Sequence, residues 1–210
     1  YESFDTDSTG GWNNSNAPSC WYYRENPGAQ GYGYISGFTF NINPYVGSQM
    51  YYLYNSGDSA MEALISPAIM GLDSGNKQLD LYMANSGFSS GTDVIIGSVS
   101  SPTNLSNLNI IDTISVSNGA TWNKYTVYID SASGYNMSDS YLVIATTTTS
   151  TFNGVYIDEI TVTDAPLCIP PTSFNVVAVT TDSAEVSFAS AGVMTYIEYG
   201  LTGFTPNFAQ

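Results

Sequence analysis

Short runs rich in Val, Ile, Thr and Tyr follow one another through residues 1–165, each bounded by residues that favour turns. Runs such as KQLDLYMAN and TWNKYTVYID alternate apolar with polar side chains, which is the period of a half-buried strand. Turn sequences such as DSGN, SNG and SASG separate the runs. No segment keeps a helical period over about ten residues. The pattern predicts an all-β fold, an antiparallel two-sheet β-sandwich of the jelly-roll type.

A Pro-rich joint, APLCIPPTSF, interrupts this pattern near Asp164. We therefore assign residues 1–165 to a jelly-roll binding module and residues 166–210 to a linker with a partial second β segment. In that segment, FNVVAVTTDSAEVSFAS predicts two strands joined at TTDS, and TYIEYG predicts a third. The order resembles the first strands of a fibronectin type III domain, with Phe188 where Trp is usual. This resemblance implies that further strands lie in sequence beyond this chain.

Charge is sparse and one-sided, with 18 Asp and Glu, 3 Lys and Arg, no His and a net charge of −15. Such a surface repels phosphate backbones and anionic membranes, so we expect no nucleic-acid partner. No apolar run is long enough to cross a bilayer, and we expect no membrane insertion. Without His, the chain lacks Ser–His and Cys–His pairs and an imidazole base. A hydrolase built on two carboxylates stays open, although no local motif indicates one.

Five stretches in residues 1–165 carry a family resemblance. They are the opening YESFD with Trp12 close behind it, ALISPAI, IIGSVSSPTN, TWNKYTVYID and the closing VYIDEITVTD. Their order resembles the MAM-like jelly roll of bacterial surface and secreted proteins, a group that includes cleaved adhesin domains and choice-of-anchor modules. The resemblance implies a binding or adhesion module rather than an enzyme. With the Ser-, Thr-, Asn- and Tyr-rich composition, it leads us to expect a protein that is secreted or held at the cell surface.

The same resemblance implies a structural Ca²⁺ site near the first and last strands. The matching residues are Glu2 in YESF and Asp158 in YIDEI, and Asp5, Asp7 and Asp58 are further candidate ligands. Ca²⁺ takes six to eight hard oxygen ligands, including carboxylates and backbone carbonyls. The alternative is that these acids are solvated charges at strand ends. Many relatives carry a second Asp-rich loop after the first Trp, but GGWNNSNAPS has no carboxylate there, which argues against a second calcium.

Aromatic residues are the candidate ligand contacts, since the chain has 17 Tyr, 9 Phe and 3 Trp. Sugars stack on exposed rings, and binding sites combine apolar walls with a few polar groups. The candidates are Trp12, Tyr22, Tyr23, Tyr32, Tyr34, Tyr52, Tyr54 and Phe88. For any single Tyr, the alternative is an ordinary residue of the sheet surface with its hydroxyl in water.

Strand alternation narrows this set. In SCWYYRENPG, Trp21 and Tyr23 share one face, and Tyr22 and Arg24 share the other. In QMYYLYN, the apolar pair Tyr51 and Leu53 is the better choice for the core, which turns Tyr52 and Tyr54 outward. We therefore predict ligand contacts at Tyr22, Arg24, Tyr52 and Tyr54. Arg24 could instead pair with Glu25 or another acid.

The function that these observations favour is a non-catalytic polysaccharide-binding module of a secreted multimodular bacterial protein. Its partners would be a plant- or algal-type glycan and neighbouring domains of the same polypeptide. The first alternative is an adhesion or protein-interaction module without sugar specificity, and the second is a carboxylate-based glycan-cleaving enzyme. Cys20 and Cys168 could form one disulfide outside the cell, or each could be free or paired elsewhere.

Overall fold

A computed structural model describes residues 1–25, 30–38, 42–56, 61–86, 91–130, 133–146, 153–166, 172–189 and 200. The runs rich in Val, Ile and Tyr form strands, and the only helical element in these ranges is a 3₁₀ turn at Leu72–Ser74. The strands are β1 Tyr22–Glu25, β2 Tyr32–Ser36, β3 Met50–Asn55, β4 Glu62–Ile65, β5 Lys77–Asn85, β6 Gly91–Val99, β7 Asn109–Ser117, β8 Asn123–Ile129, β9 Tyr141–Thr146, β10 Asn153–Asp164, β11 Thr172–Val179 and β12 Ala184–Ala189.

The chain divides into two compact units, Tyr1–Ala165 and Pro166–Gln210. The first unit contains two five-stranded sheets. Sheet A has the order β1-β4-β9-β6-β7, and sheet B has the order β2-β3-β10-β5-β8. All pairings within them are antiparallel. This arrangement confirms the predicted all-β, antiparallel two-sheet sandwich. Within the described ranges, no helix has the length and apolar character needed to cross a membrane.

The main core lies between the two sheets. Alternate residues of each strand point into it, for example Leu53 of β3, Leu64 of β4 and Ile144 of β9, all at most 2% exposed. Burial of such side chains supplies the main favourable term in folding. Tyr51 also points into this core, which confirms the predicted inward pair in QMYYLYN.

β4, Glu62–Ile65, has the sequence EALI, which does not alternate apolar with polar side chains beyond its first residue. Its four residues form a fully buried strand between β1 and β9. Ladder partners on both sides satisfy the backbone of β4, and both of its faces are covered by apolar side chains. A strand buried on both faces loses the apolar–polar alternation, which is why its sequence did not look like a strand.

The start of the chain lies against β10. Glu2 and Ile160 exchange backbone hydrogen bonds of 2.8 and 2.9 Å. β10 carries a bulge between Asp158 and Thr161 in its pairing with β5, and Glu159 there has a φ of 52°. Bulges re-aim side chains and interrupt a ladder. The bulge therefore lets the N-terminal segment pair locally with a central strand.

The second unit contains an antiparallel pair, β11 and β12. The turn between them falls at TTDS, as the sequence predicts, and Thr180 accepts and donates hydrogen bonds within it. The predicted third strand, TYIEYG, lies outside the described residues except for Gly200. The likeness to fibronectin type III stays a prediction.

Candidate functional site

Five tyrosines cover one part of the outer side of sheet B. Because Tyr51 and Leu53 point into the core, Tyr52 and Tyr54 point outward, as predicted. Neighbouring strands add outward tyrosines in register with these two. We call this set the tyrosine face; its members are Tyr32, Tyr34, Tyr52, Tyr54 and Tyr156.

The rings of the tyrosine face contact one another closely. Tyr32 stacks on Tyr54 with centroids 4.8 Å apart and an interplanar angle of 22°. Tyr52 stacks on Tyr156 at 4.6 Å and 22°. Tyr34 meets Tyr52 edge-on at 5.7 Å. Stacked and edge-to-face rings stabilise each other beyond their buried area, so these contacts favour one arrangement of the rings.

Only part of the tyrosine face is open to solvent. Tyr52 is 1% exposed and Tyr156 is 0% exposed, whereas Tyr32 and Tyr54 are half-buried. Ile42, from the connection between β2 and β3, packs on the same cluster. The structure therefore places Tyr52 outward as predicted, but it buries the ring that was expected to meet a ligand. Burial also raises the pKa of Tyr32 to about 12.

A second aromatic group continues the outer side of sheet B toward β8. Tyr45 stacks on Tyr82 with centroids 3.7 Å apart, and Trp122 lies 6.1 Å from Tyr45. The Trp122 indole donates to the Asn43 carbonyl at 3.0 Å. Trp122 also packs against the tyrosine-face cluster.

Trp12 stands at the tip of a turn beside the edge strand of sheet B. Gly10 donates to the Ile35 carbonyl and Asn16 to the Gly33 carbonyl, both at 2.9 Å, so the segment lies along β2. The turn is closed by the bridge between Gly11 and Asn14, and Trp12 is 71% exposed. An exposed Trp therefore stands next to the strand that carries Tyr32 and Tyr34.

Tyr22 and Arg24 lie on the other sheet. Both belong to β1 of sheet A and point outward, while Trp21 and Tyr23 pack against the main core, as alternation predicts. The Arg24 guanidinium lies 5.6 Å from the Tyr22 ring centroid and donates to the Tyr23 carbonyl at 2.8 Å. The four predicted ligand residues therefore do not form one surface, because Tyr52 and Tyr54 lie on sheet B.

The predicted calcium ligands surround the segment 45–49. Asp158 accepts hydrogen bonds from the amides of Tyr45 and Val46, at 2.9 and 3.2 Å. Asp5 accepts from the amides of Ser48 and Gln49, at 2.7 and 2.9 Å. One loop thus holds both acids, which are distant in sequence.

Glu2 and Asp158 are the two acids that the resemblance matched. Glu2 accepts from the Phe4 amide at 2.7 Å, and its backbone pairs with Ile160, two residues after Asp158. Burial raises the pKa of Asp158 to about 7, against the lowering effect of three backbone amides. A cation would favour the ionised form of such a buried carboxylate.

The remaining candidates have the following positions. Asp7 accepts from the Ser19 amide at 2.8 Å. Asp58, Phe88 and Cys168 lie outside the described residues. Cys20 is an exposed free cysteine. Among the described residues, no three Asp, Glu, Cys or His side chains converge, so a calcium ion near Asp158 would need backbone oxygens and waters as further ligands.

The sequence matches no family model and no curated protein. Among solved structures, it is similar to the K1 cleaved adhesin domain of Lys-gingipain from Porphyromonas gingivalis W83. The TM-score is 0.59 and the identity is 16%, over 79% of this chain and 97% of that domain. The K2 cleaved adhesin domain of Lys-gingipain gives a TM-score of 0.57 at 18% identity, over 77% and 96%. This likeness shows the fold of cleaved adhesin domains over more than three quarters of the chain.

A carbohydrate-binding module of family 11 from a Clostridium thermocellum cellulase is also similar in fold. Its TM-score is 0.47 and its identity is 10%, over 69% of this chain and 88% of that one.

Sequence reasoning missed Tyr45, Tyr82 and Tyr156. Each occurs alone in its strand or loop rather than in a Tyr pair, and only the pairing of β10 with β3 and β5 brings them to the outer side of sheet B. The alternation of β5 could have shown that Tyr82 faces outward, since Leu81 and Met83 lie in the core.

Proposed function

We propose that the protein is a non-catalytic polysaccharide-binding module whose ligand stacks on Tyr32 and Tyr54 of sheet B, with Trp12, in the turn beside β2, as a further candidate contact. The stacked, half-buried pair Tyr32–Tyr54 carries this proposal. Two rings fixed against each other present a preformed apolar surface with hydroxyl groups at the rim, which suits the C–H faces and hydroxyls of a sugar chain. Preorganisation lowers the entropy that binding would cost.

The charge of the protein favours a neutral glycan. With a net charge of −15, the surface repels polyanions such as sulfated or uronic-acid polymers. Arg24 could offset the repulsion of polyanions only in its own surroundings. It lies on sheet A, and its guanidinium already donates a hydrogen bond to the Tyr23 carbonyl. We therefore propose a neutral plant- or algal-type polysaccharide, bound by a protein that acts outside the cell beside other domains of its polypeptide.

Affinity electrophoresis against a panel of neutral and acidic polysaccharides tests this proposal. Replacing Tyr32 or Tyr54 by Ala should weaken the retardation roughly 30-fold, the loss of about 2 kcal/mol at one binding hot spot. Tyr22→Ala is the matched control, since it removes a half-buried Tyr from the opposite sheet. Retention of binding in both sheet B variants, with loss in Tyr22→Ala or Arg24→Ala, would refute this placement. No retardation by any polysaccharide would refute the glycan ligand.

An adhesion module without sugar specificity is the second candidate. The connection between β2 and β3 exposes apolar side chains, with Phe38 63%, Val46 48% and Tyr45 41% exposed. Exposed apolar groups on a polar surface favour a protein contact. Binding of a protein partner that Phe38→Ser abolishes and Tyr54→Ala leaves unchanged would support this candidate over the first.

We also propose a structural Ca²⁺ held by Glu2 and Asp158, with Asp5 beside them. The support is the grouping of Asp158 and Asp5 around the segment 45–49 and the pairing of Glu2 next to Asp158. Asp58, which lies outside the described residues, remains a candidate from the sequence alone. When bound, the ion would tie the start of the chain to β10 and would stabilise the fold by ligand linkage.

A further inference from the structure

An open cavity lies between the two sheets, at the end of the sandwich where β1 begins and β4 ends. Its volume is about 230 Å³. This is below the roughly 300–1,000 Å³ of pockets that take drug-sized ligands, so the cavity has room for a single ring or branched side chain. The side chains that line it are mainly apolar or aromatic; they include Trp21, Pro67 and Ile69 on the side of sheet A, and Tyr1, Ile160 and Val162 on the side of sheet B.

Backbone hydrogen bonds hold both walls of this cavity. The amide of Ile69 donates to the Ser140 carbonyl at 2.8 Å, which holds one wall against sheet A. The two backbone hydrogen bonds between Glu2 and Ile160 hold Tyr1 beside β10 in the other wall. The cavity is therefore formed before a ligand binds, which lowers the entropy that binding would cost.

The hydroxyl groups of the walls already have partners. The Ser66 hydroxyl donates to the Pro67 carbonyl at 2.8 Å and accepts from the Leu142 amide at 2.9 Å. The Tyr1 hydroxyl donates to the Glu159 carboxylate. A sugar ring buried here would leave several of its own hydroxyl groups unpaired, which is costly. The cavity therefore favours an apolar group over a sugar.

Apolar groups continue outside the cavity. Tyr1 is 77% exposed, and Met70, the chain neighbour of Ile69, is 93% exposed. Trp21 packs against the main core, so its ring is a fixed part of the wall. Exposed apolar groups around a cavity favour a protein contact. A large side chain inserted there would be enclosed by apolar groups, which is the environment of an interface hot spot.

Glu159 places a negative charge beside the cavity. It lies at the bulge of β10 with a φ of 52°, in the left-handed region, and its carboxylate accepts from the Tyr1 hydroxyl of the cavity wall. Glu159 forms no ion pair in the described part of the chain. The whole chain carries a net charge of −15. Local and overall charge therefore both favour a basic partner.

We propose that this cavity docks a protein partner through one aromatic or branched apolar side chain that lies next to a Lys or Arg of the partner. The apolar side chain fills the space between Trp21 and Tyr1, and the basic side chain pairs with Glu159. The cavity lies between the sheets, whereas Tyr32 and Tyr54 lie on the outer side of sheet B. The contact is therefore separate from the proposed glycan surface and is made with a different class of partner.

Fluorescence anisotropy with dye-labelled pentapeptides tests the proposal on the full 210-residue chain. The peptides carry a central Trp, Leu or Ser between two Lys, or a central Trp between two Glu. We expect the Lys-flanked Trp and Leu peptides to bind. A central Ser or flanking Glu should weaken binding at least about tenfold, because the first removes the apolar anchor and the second reverses the charge.

Two variants locate the contact. Tyr1→Ala removes an exposed wall of the cavity, and Glu159→Gln removes the charge but keeps the shape of the side chain. Each should weaken the Lys-flanked Trp peptide about fivefold or more, and Glu159→Gln should also narrow the difference between Lys-flanked and Glu-flanked peptides. Met137→Ala, at a residue that is 58% exposed, and Asp112→Asn, at an exposed acid of β7, are the matched controls and should leave the affinity unchanged. Unfolding midpoints of all four variants check that the fold is kept.

Several results would overturn the proposal. One is an unchanged affinity in Tyr1→Ala, and another is equal binding of the peptides with central Ser and central Trp. Loss of binding in Phe38→Ser but not in Tyr1→Ala would place the contact on the connection between β2 and β3. Absence of binding by every Lys-flanked peptide up to about 1 mM overturns it as well. Polysaccharide retardation is measured separately, so the glycan proposal can stand or fail independently of these results.

Discussion

The buried carboxyl of Asp158 predicts that the cation-free protein loses stability as the pH rises. Its pKa is about 7 in the folded protein, because burial disfavours the charged form, against an ordinary value of 3.8. Each unit of difference corresponds to about 1.4 kcal/mol of free energy of unfolding. The shift of roughly three units therefore sets an upper limit of about 4 kcal/mol for this one group.

The direction of the effect follows from proton binding. Between about pH 4 and pH 7 the folded protein keeps a proton on Asp158 that the unfolded chain has released. Protons therefore favour the folded state in this window. The stabilisation by this proton is fully present below the pKa of Asp158 in the unfolded chain and is lost as the pH rises through its pKa in the folded protein. Above that pKa the free energy of unfolding no longer changes because of Asp158. Bound Ca²⁺ would hold the carboxyl ionised and would remove most of this pH dependence.

Urea unfolding at several pH values between 4 and 8, in EDTA and in Ca²⁺, measures the effect. Asp158→Asn is the reference, since it has no proton to lose. Its amide cannot accept from all the backbone donors that Asp158 binds, which costs about 1–3 kcal/mol independently of pH. Only the unchanged protein also loses stability as Asp158 ionises, so in EDTA its advantage over Asp158→Asn should be largest near pH 4 and should shrink towards pH 8. Parallel curves from pH 4 to 8 would refute the raised pKa, and equal curves in EDTA and Ca²⁺ would refute the calcium site.

Two further changes test the packing of the sandwich. Leu64→Ala removes a side chain from the core between the sheets and should lower the free energy of unfolding by about 2–5 kcal/mol in chemical denaturation. Ile110→Ala, at a residue that is 52% exposed, should change the same free energy by less than about 0.5 kcal/mol. Gly154→Ala should lower the unfolding midpoint, because its Cβ would lie 2.5 Å from the Tyr52 hydroxyl, while Gly11→Ala meets no atom within 4 Å and should be neutral. Equal midpoints for the two glycine variants would contradict the close packing of the tyrosine face.

Strand alternation predicted the direction of side chains but not their burial. It placed Tyr51 and Leu53 inside and Tyr52 and Tyr54 outside, and the structure agrees. It could not show that Ile42, from a connection, covers Tyr52 on the outer side. A period-2 pattern describes one strand, whereas exposure depends on every segment that crosses the sheet.

The sequence also could not predict which of the two sheets each strand joins. The chain places β1 in sheet A, the next two strands in sheet B and β4 back in sheet A. Tyr22 and Tyr54 are therefore on opposite sides of the sandwich although both point outward. Crossovers of this kind are set by long-range pairing, which leaves no local signal in a Tyr-rich strand.

The scarcity of basic residues explains why buried acids matter in this protein. The ion pairs seen in the described part of the chain, Lys77–Asp164 and Lys124–Asp80, both lie at the surface. Asp139 is stabilised by hydrogen bonds from Ser98 and Asn109, both at 2.7 Å.

Asp158 accepts hydrogen bonds from backbone amides, and burial raises its pKa. Glu62 lies directly opposite a second glutamate, Glu25, in the ladder between β4 and β1. Burying an ionised carboxylate costs several kcal/mol unless a proton or a cation offsets it. A chain with 18 acids and 3 bases has few basic residues to supply that offset, so the part of its stability that depends on Asp158 should respond to dissolved Ca²⁺.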